Sequence, residues 1–363
     1  MAERLPHYRT GRADLDQRLD ELLDAAGAGA NPNRDQLFEI LAAATRLAGA
    51  DVDRLSLKIT NAALRELARA FRIFAPYRGV PKVTMFGSAR TLADDPLYSQ
   101  ARDMARVLAA TGWMVVTGGG PGIMAAGLEG AGRQHSFGIN IRLPFEQGAN
   151  EFIAGDAKLV TMKYFFTRKL MLLKESDAFV VLPGGFGTLD EALELLTLMQ
   201  TGKADPSPIV LLEVPGGTYW HAWERFVTEE VITRGLASPE DRSLYRIADD
   251  VTDAVAEILG FYRNYRSRRA VGEQFVIRLR NAPTEPEIAA LSEEFADICT
   301  DGCITASAPL PAEVADDDQL DLPRIVLCFD RMSHGRLRDL IDRLNTLPSA
   351  PPPAALPTVG TPR

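Results

Sequence analysis

The chain has 363 residues, 46% hydrophobic and 25% charged, a globular balance in a length that exceeds one common domain, so two or three units are expected. A net charge of −9 excludes a protein whose main task is to wrap a nucleic-acid backbone, while leaving room for a local basic pocket. Cys299, Cys303 and Cys328 form no CxxC pair, no apolar run approaches the ~20 residues of a membrane span, and the start lacks an apolar signal core. A cytoplasmic protein with reduced thiols, no metal and no membrane association is therefore expected.

In chain order, Leu15, Leu19, Leu22 and Leu23 recur at helical spacing, as do Leu37, Ile40, Leu41, Ala44 and Leu47, with a connector over 27–33. A third helix is predicted from about Leu55 to Phe74. Residues 1–78 thus read as a helical N-terminal extension for packing or oligomerisation. After Gly79 the pattern changes to short apolar runs, at 83–86, 114–117, 137–143, 178–182 and 209–212, alternating with helical stretches. Such runs, bounded by Gly or Pro, predict strands buried on both faces of an α/β, doubly wound (Rossmann-like) parallel sheet over 79–265. Its ligand belongs at the carboxyl ends of the strands. From 270 to 347 a small α+β C-terminal domain is expected: a strand at 275–279, a helix at 285–296, strands at 304–308 and 325–329, and a helix at 337–344. The proline-rich tail, 348–363, reads as disordered.

Three segments carry chemistry. Thr117-Gly118-Gly119-Gly120-Pro121-Gly122-Ile123-Met124 joins a strand to a helix, where glycines admit an anion to free N–H groups. A tight turn with Pro121 at the first helical position accounts for the same residues. Leu182-Pro183-Gly184-Gly185-Phe186-Gly187-Thr188-Leu189-Asp190-Glu191 repeats the arrangement with a hydroxyl added. It has neither the lysine of a Walker A loop nor the spacing of a dinucleotide fingerprint, so a monophosphate fits it better than ATP or NAD. Thr188 and Glu191 have capping-box spacing, and the same carboxylate is placed to act on a sugar. Glu194, one turn on, supports either role or faces solvent. Finally, Arg168 and Lys169 follow Tyr164-Phe165-Phe166-Thr167 in a helical stretch; the pair is either solvated or reaches into the cleft to hold phosphate or ribose oxygens. His7, His135, His221 and His334 have no metal or triad spacing, and Trp220 and Trp223 read as helix anchors.

Taken together, GGGPGIM at 118–124, the Arg168-Lys169 pair and PGGFGTLDE at 183–191 resemble the LONELY GUY (LOG) family, over roughly residues 80–262 and including Gly87-Ser88-Ala89-Arg90. The resemblance implies hydrolysis of the N-glycosidic bond of nucleoside 5′-monophosphates without metal or organic cofactor. It implies Arg168 and Glu191 as catalytic residues, and substrate contacts from Gly87, Ser88, Gly119, Gly120, Glu146, Lys169, Gly184, Gly185, Gly187 and Thr188. The segment 143–147 and Asn150, with both extensions, is similar to the longer bacterial members, which implies AMP or a wider purine range rather than cytokinin nucleotides. Members often carry a lysine decarboxylase label, for which no Schiff-base lysine is evident. The alternative is a non-catalytic nucleotide or molybdenum-cofactor carrier of the same fold. A homodimer or higher homo-oligomer is expected, with the C-terminal unit serving as a subunit contact or a regulatory element.

Overall fold

The computed structural model describes residues 8–142 and 148–353. His7, Glu146 with its segment 143–147, and the tail beyond 353 lie outside the described residues. The chain divides into two compact units, one ending at Arg65 and the other beginning at Glu66.

The first unit contains α1 (Ala13–Ala25), α2 (Arg34–Ala48) and the opening turns of α3 (Arg54–Phe74). Leu19 and Leu23 of α1 bury as their spacing predicts, but against Phe38 and Ala42 of α2, with Leu37 and Leu41 packed beside them; Leu22, Ile40 and Ala44, expected on the apolar faces, are exposed. The last turns of α3 belong to the second unit, where Ala70 and Phe74 are buried and the Phe74 ring stacks on Phe137 at 4.3 Å.

The second unit opens with β1 (Lys82–Phe86), α4 (Pro96–Ala110), β2 (Met114–Thr117), α5 (Ile123–Ala131), β3 (Ser136–Ile141) and β4 (Leu159–Met162). It continues with α6 (Phe165–Lys174), β5 (Ala178–Val181), α7 (Phe186–Gln200), β6 (Ile209–Leu212), α8 (Tyr219–Phe226), β7 (Arg246–Ala248) and α9 (Val251–Phe261). The strands form one parallel sheet in the order β4-β3-β2-β1-β5-β6-β7. Alternate residues feed two cores: Val83, Met85 and Val115 pack towards α4, α5 and α9, while Phe86, Met114 and Val116 pack towards α6, α7 and the end of α3. This is the doubly wound α/β fold, and the order reverses between β1 and β5. A cleft opens at such a switch point because the flanking connections leave to opposite sides. Short edge strands β4 and β7 are additions to the expected set; β4 is buried only at alternate residues and β7 only at Ala248.

A second sheet follows, built from β8 (Tyr265–Val271), β9 (Gln274–Leu279), α10 (Glu285–Glu294), β10 (Cys299–Ala306), α11 (Pro311–Ala315), β11 (Arg324–Phe329) and α12 (His334–Thr346). Its antiparallel order is β10-β11-β9-β8. The arginine-rich β8 was not expected as a strand. The tail differs from expectation as far as it is described: Ser349, Ala350 and Pro351 pack against the domain, while Pro348, Pro352 and Pro353 are exposed. Ala350 is buried, Ser349 N donates to Glu287 Oε1 at 3.1 Å, and the Ser349 carbonyl accepts from Asn281 at 3.0 Å. Among the described residues no helix is long and apolar enough to cross a membrane.

Candidate active site

The loops leaving the carboxyl ends of β1, β2 and β5 surround a cavity of about 790 Å³ at the switch point. Gly87, Ser88, Ala89 and Arg90 come from the first loop, Gly118 and Pro121 from the second, and Gly184, Gly185, Gly187 and Thr188 from the third. Met124, Phe165, Phe186 and Leu172 supply apolar wall.

The three loops are locked together by backbone. Ser88 N donates to the Pro183 carbonyl at 3.3 Å, and Ile123 N donates to the Ser88 carbonyl at 3.0 Å. Two glycines permit that approach. Gly122 has φ 66°, and a Cβ on it would sit 2.3 Å from the Ser88 carbonyl oxygen. A Cβ on Gly184 would meet Thr188 Oγ1 at 2.2 Å. On the outer side the Tyr219 hydroxyl donates to the Gly184 carbonyl at 2.7 Å.

Gly122 and Gly185 are the N-caps of α5 and α7, and this placement corrects two readings of the sequence. Pro121 precedes the cap and is not the first helical residue. Because α7 starts at Phe186, Thr188 is its third residue and Glu191 its sixth, so the two form no capping box and no side chain caps this helix. Glu191 is thereby released from a structural task. Only 3% exposed, it faces the cavity, where Arg168 Nη2 approaches its Oε1 at 3.4 Å. Its Oε2 and the Arg168 Nε are buried with no protein hydrogen-bond partner among the described residues. Buried polar atoms carry a desolvation cost unless satisfied, so two such atoms in one cavity are suited to a polar ligand. Burial pushes the Glu191 carboxyl above the usual carboxylate range, with Arg168 and Lys169 opposing the shift.

Arg168 is held from behind. Its guanidinium lies 4.9 Å from the Phe165 ring centroid. The start of α6 is pinned by Glu66 on α3, whose Oε1 accepts from Lys163 N at 2.9 Å and whose Oε2 accepts from the Thr167 hydroxyl at 2.7 Å. The sequence offered no sign of Glu66, since its partners lie about a hundred positions away.

Against known proteins, residues 114–258 match a family model described as a possible lysine decarboxylase. A probable cytokinin riboside 5′-monophosphate phosphoribohydrolase of Arabidopsis thaliana, LOG6, is 34% identical over 148 residues, 40% of this chain and 70% of the relative. Its counterpart LOGL3 of Oryza sativa subsp. japonica is 31% identical over 47% of this chain and 80% of the relative. The chain belongs to the LOG family. Among solved structures, a molybdenum cofactor carrier protein from Chlamydomonas reinhardtii aligns with TM-score 0.34 and 21% identity, over 49% of this chain and 94% of the carrier.

The residues that the LOG resemblance implied divide into three groups in space. Arg168, Glu191, Gly87, Ser88, Gly184, Gly185, Gly187 and Thr188 line the cavity together. Gly119 and Gly120 lie behind its wall: the Gly119 carbonyl accepts from Asn150 N at 2.8 Å, and the Gly120 carbonyl from Asn150 Nδ2 at 2.8 Å. Lys169 is turned away from the cavity to join α6 to α7, its Nζ lying 2.8 Å from Asp190 and 2.7 Å from Glu194. No lysine is among the lining residues, so a Schiff-base chemistry suggested by the family model's description has no residue here to carry it. Arg90 lines the cavity and was not singled out from the sequence, although it closes the Gly-Ser-Ala-Arg segment after β1.

Proposed function

We propose that this protein is a phosphoribohydrolase that cleaves the N-glycosidic bond of a nucleoside 5′-monophosphate, AMP or a related purine nucleotide, to free base and ribose 5-phosphate. The observation that carries the reading is the pair of half-buried Arg168 and buried Glu191, each with a buried polar atom that has no partner among the described residues, beside glycine loops suited to a phosphate. The names of the plant relatives agree with it as to reaction class.

The 5′-phosphate is taken by the N–H groups of the glycine loops and the starts of α5 and α7, whose dipoles favour an anion, with the Ser88 and Thr188 hydroxyls adding donors. Anchoring the phosphate brings the anomeric carbon to Glu191. As the C1′–N bond breaks, its electron pair leaves with the base, which takes up a proton, and positive charge develops on the sugar. Glu191 stabilises that charge and accepts the proton of the water that attacks C1′. Arg168 holds the carboxylate in place and offsets charge on the phosphate or the departing base.

The test is release of adenine and ribose 5-phosphate from AMP by the wild type and by Glu191→Gln. Cleavage by the wild type alone, with both proteins folded, supports the reading. Tight binding of nucleoside monophosphates without cleavage by either protein sinks it in favour of a carrier.

A further inference from the structure

The three strands that hold the candidate active site at their carboxyl ends meet a second cavity, of about 720 Å³, at their amino ends. Arg78 and Pro81 precede β1, Trp113 precedes β2, and Asp177 precedes β5. The other wall comes from the end of α9, the start of β8 and the segment after β9, which contribute Tyr262, Arg263, Arg266 and Arg280. Four arginines and one aspartate thus line one cavity, in a chain whose net charge is −9.

Their hydrogen bonds do not use them up. Arg263 Nε donates to the Pro351 carbonyl, and Arg280 Nε donates to the Tyr262 carbonyl at 3.1 Å, which leaves the terminal nitrogens of both available. Arg78 and Arg266 are exposed and make no hydrogen bond or ion pair with the described residues. The one carboxylate is itself engaged: Asp177 Oδ2 accepts from Lys82 N at 2.8 Å. The ends of α4, α6 and α9 that point here are carboxyl ends, which attract cations and so account for arginines near them. They do not account for four converging on a concavity within the roughly 300 to 1,000 Å³ typical of small-molecule sites. Guanidiniums grip phosphate oxygens with paired N–H groups, and several around one cavity suit a ligand with more than one phosphate.

We infer that this cavity is a second ligand site that takes a small polyphosphate, held by Arg78, Arg263, Arg266 and Arg280. A bound ligand joins the parallel-sheet core to the β8–β9 hairpin and the segment at Pro351, which all contribute to its wall. The inference stands whether or not the first cavity hydrolyses nucleotides. The ligand's phosphates can belong to a nucleotide or to inorganic polyphosphate.

The experiment is calorimetric titration of inorganic tripolyphosphate, and separately of ATP, into the full chain carrying Glu191→Gln, which blocks turnover. The same titrations are made with Arg266→Glu and Arg280→Glu added, both on exposed residues. Saturable binding, one per chain and below about 1 mM, that weakens at least about tenfold on charge reversal supports the site. ATP binding tighter than tripolyphosphate identifies a nucleotide; equal affinities identify the phosphates as the whole of the recognition. Two results overturn the inference: no binding of either probe at about 1 mM, or binding that the charge reversals leave unchanged. Circular-dichroism melting of the reversed variant, matching its parent, separates lost binding from lost fold.

Discussion

The two ends of β1, β2 and β5 solve the problem of holding an anion in opposite ways. At the carboxyl ends, α5 and α7 begin, so backbone N–H groups and helix dipoles already favour negative charge; two arginines, Arg90 and Arg168, line the cavity, and Arg168 faces the buried carboxylate. At the amino ends α4, α6 and α9 finish, and the same dipoles oppose an anion. Any attraction there must come from side chains, and four arginines supply it. The carboxyl-end cavity has fewer cations because the backbone N–H groups and helix starts around it already favour an anion. The acids differ too: Glu191 at the carboxyl end is 3% exposed and lies 3.4 Å from Arg168, with one oxygen left without a partner among the described residues, whereas Asp177 at the amino end accepts from Lys82 N.

The sharpest way to break the comparison is to remove that acid. Glu191→Gln is expected to lower AMP cleavage by about 10³-fold, within the range attributed to positioned general acid–base groups, while leaving nucleotide binding intact. Charge reversal at Arg266 and Arg280 is expected to leave the same rate unchanged within about twofold, because these residues lie at the other end of the strands. A steady-state assay with AMP checks both, and comparable losses from the two substitutions would remove the distinction between the ends.

The next effect concerns how the backbone makes its cradle. Gly122→Ala places a Cβ 2.3 Å from the Ser88 carbonyl oxygen at a φ of 66°, so the loops after β1 and β2 must separate. A stability loss of about 2 to 3 kcal/mol is expected in denaturant titration, with weakened nucleotide binding. Gly216→Ala makes a control: its φ is likewise positive, at 79°, but nothing lies within 4 Å of the added Cβ. It should lose less stability and bind nucleotide normally.

The carboxyl-end cavity was the legible one. Apolar runs followed by glycine clusters mark strand-to-helix turns locally, and the residues of each cluster remain together in the fold. What misled was helix phase. Thr188 and Glu191 have capping-box spacing, yet Gly185 starts α7 early enough to move Glu191 into its second turn and onto the cavity. Lys169, adjacent to Arg168, was grouped with it, but one step along a helix turns a side chain by about 100°, towards Asp190 and Glu194. The amino-end cavity was illegible because Arg78, Arg263, Arg266 and Arg280 are dispersed over some two hundred positions and meet only through topology. Glu66 was hidden for the same reason. Edge strands β4 and β7 are buried only at alternate or single positions, whereas β1, β2 and β5 are buried at every one, so the edge strands gave the weaker signal.

Glu66 offers a smaller test of the carboxyl end, through the seat of Arg168. Losing its bonds to Lys163 N and the Thr167 hydroxyl frees the start of α6. Glu66→Ala is expected to lower kcat by about tenfold with a smaller effect on KM for AMP, since arginine positioning matters more in the transition state than in binding. Glu66→Gln keeps one acceptor and should recover part of the loss. A variant that loses stability and KM together, with kcat unchanged, would assign Glu66 to packing alone.

The smallest effect is on pH and stability, and its sign follows from the burial of Glu191. Desolvation raises its pKa in the folded chain, outweighing the opposing pull of Arg168 and Lys169. Catalysis requires the carboxylate, so kcat/KM should fall on acidification with a midpoint above the ordinary glutamate range, and Glu191→Gln should remove that limb from any residual activity. For stability the direction is reversed. A carboxyl whose pKa is raised by folding stabilises the fold below its unfolded pKa, and that contribution is lost as the pH rises through the folded value. Near neutrality the ionised Glu191 is therefore a burden on the fold, and Glu191→Gln should melt at the same temperature as the wild type or higher. The advantage should disappear on acidification, as the wild-type carboxyl takes up its proton. In the arginine cavity burial likewise raises the Asp177 carboxyl, with the hydrogen bond from Lys82 N and the charges of Lys82 and Arg266 opposing the shift. A Gln variant that melts well below the wild type near neutrality would mean that the Arg168–Glu191 contact holds the fold together, and the carboxyl end would then have to be read as a structural ion pair.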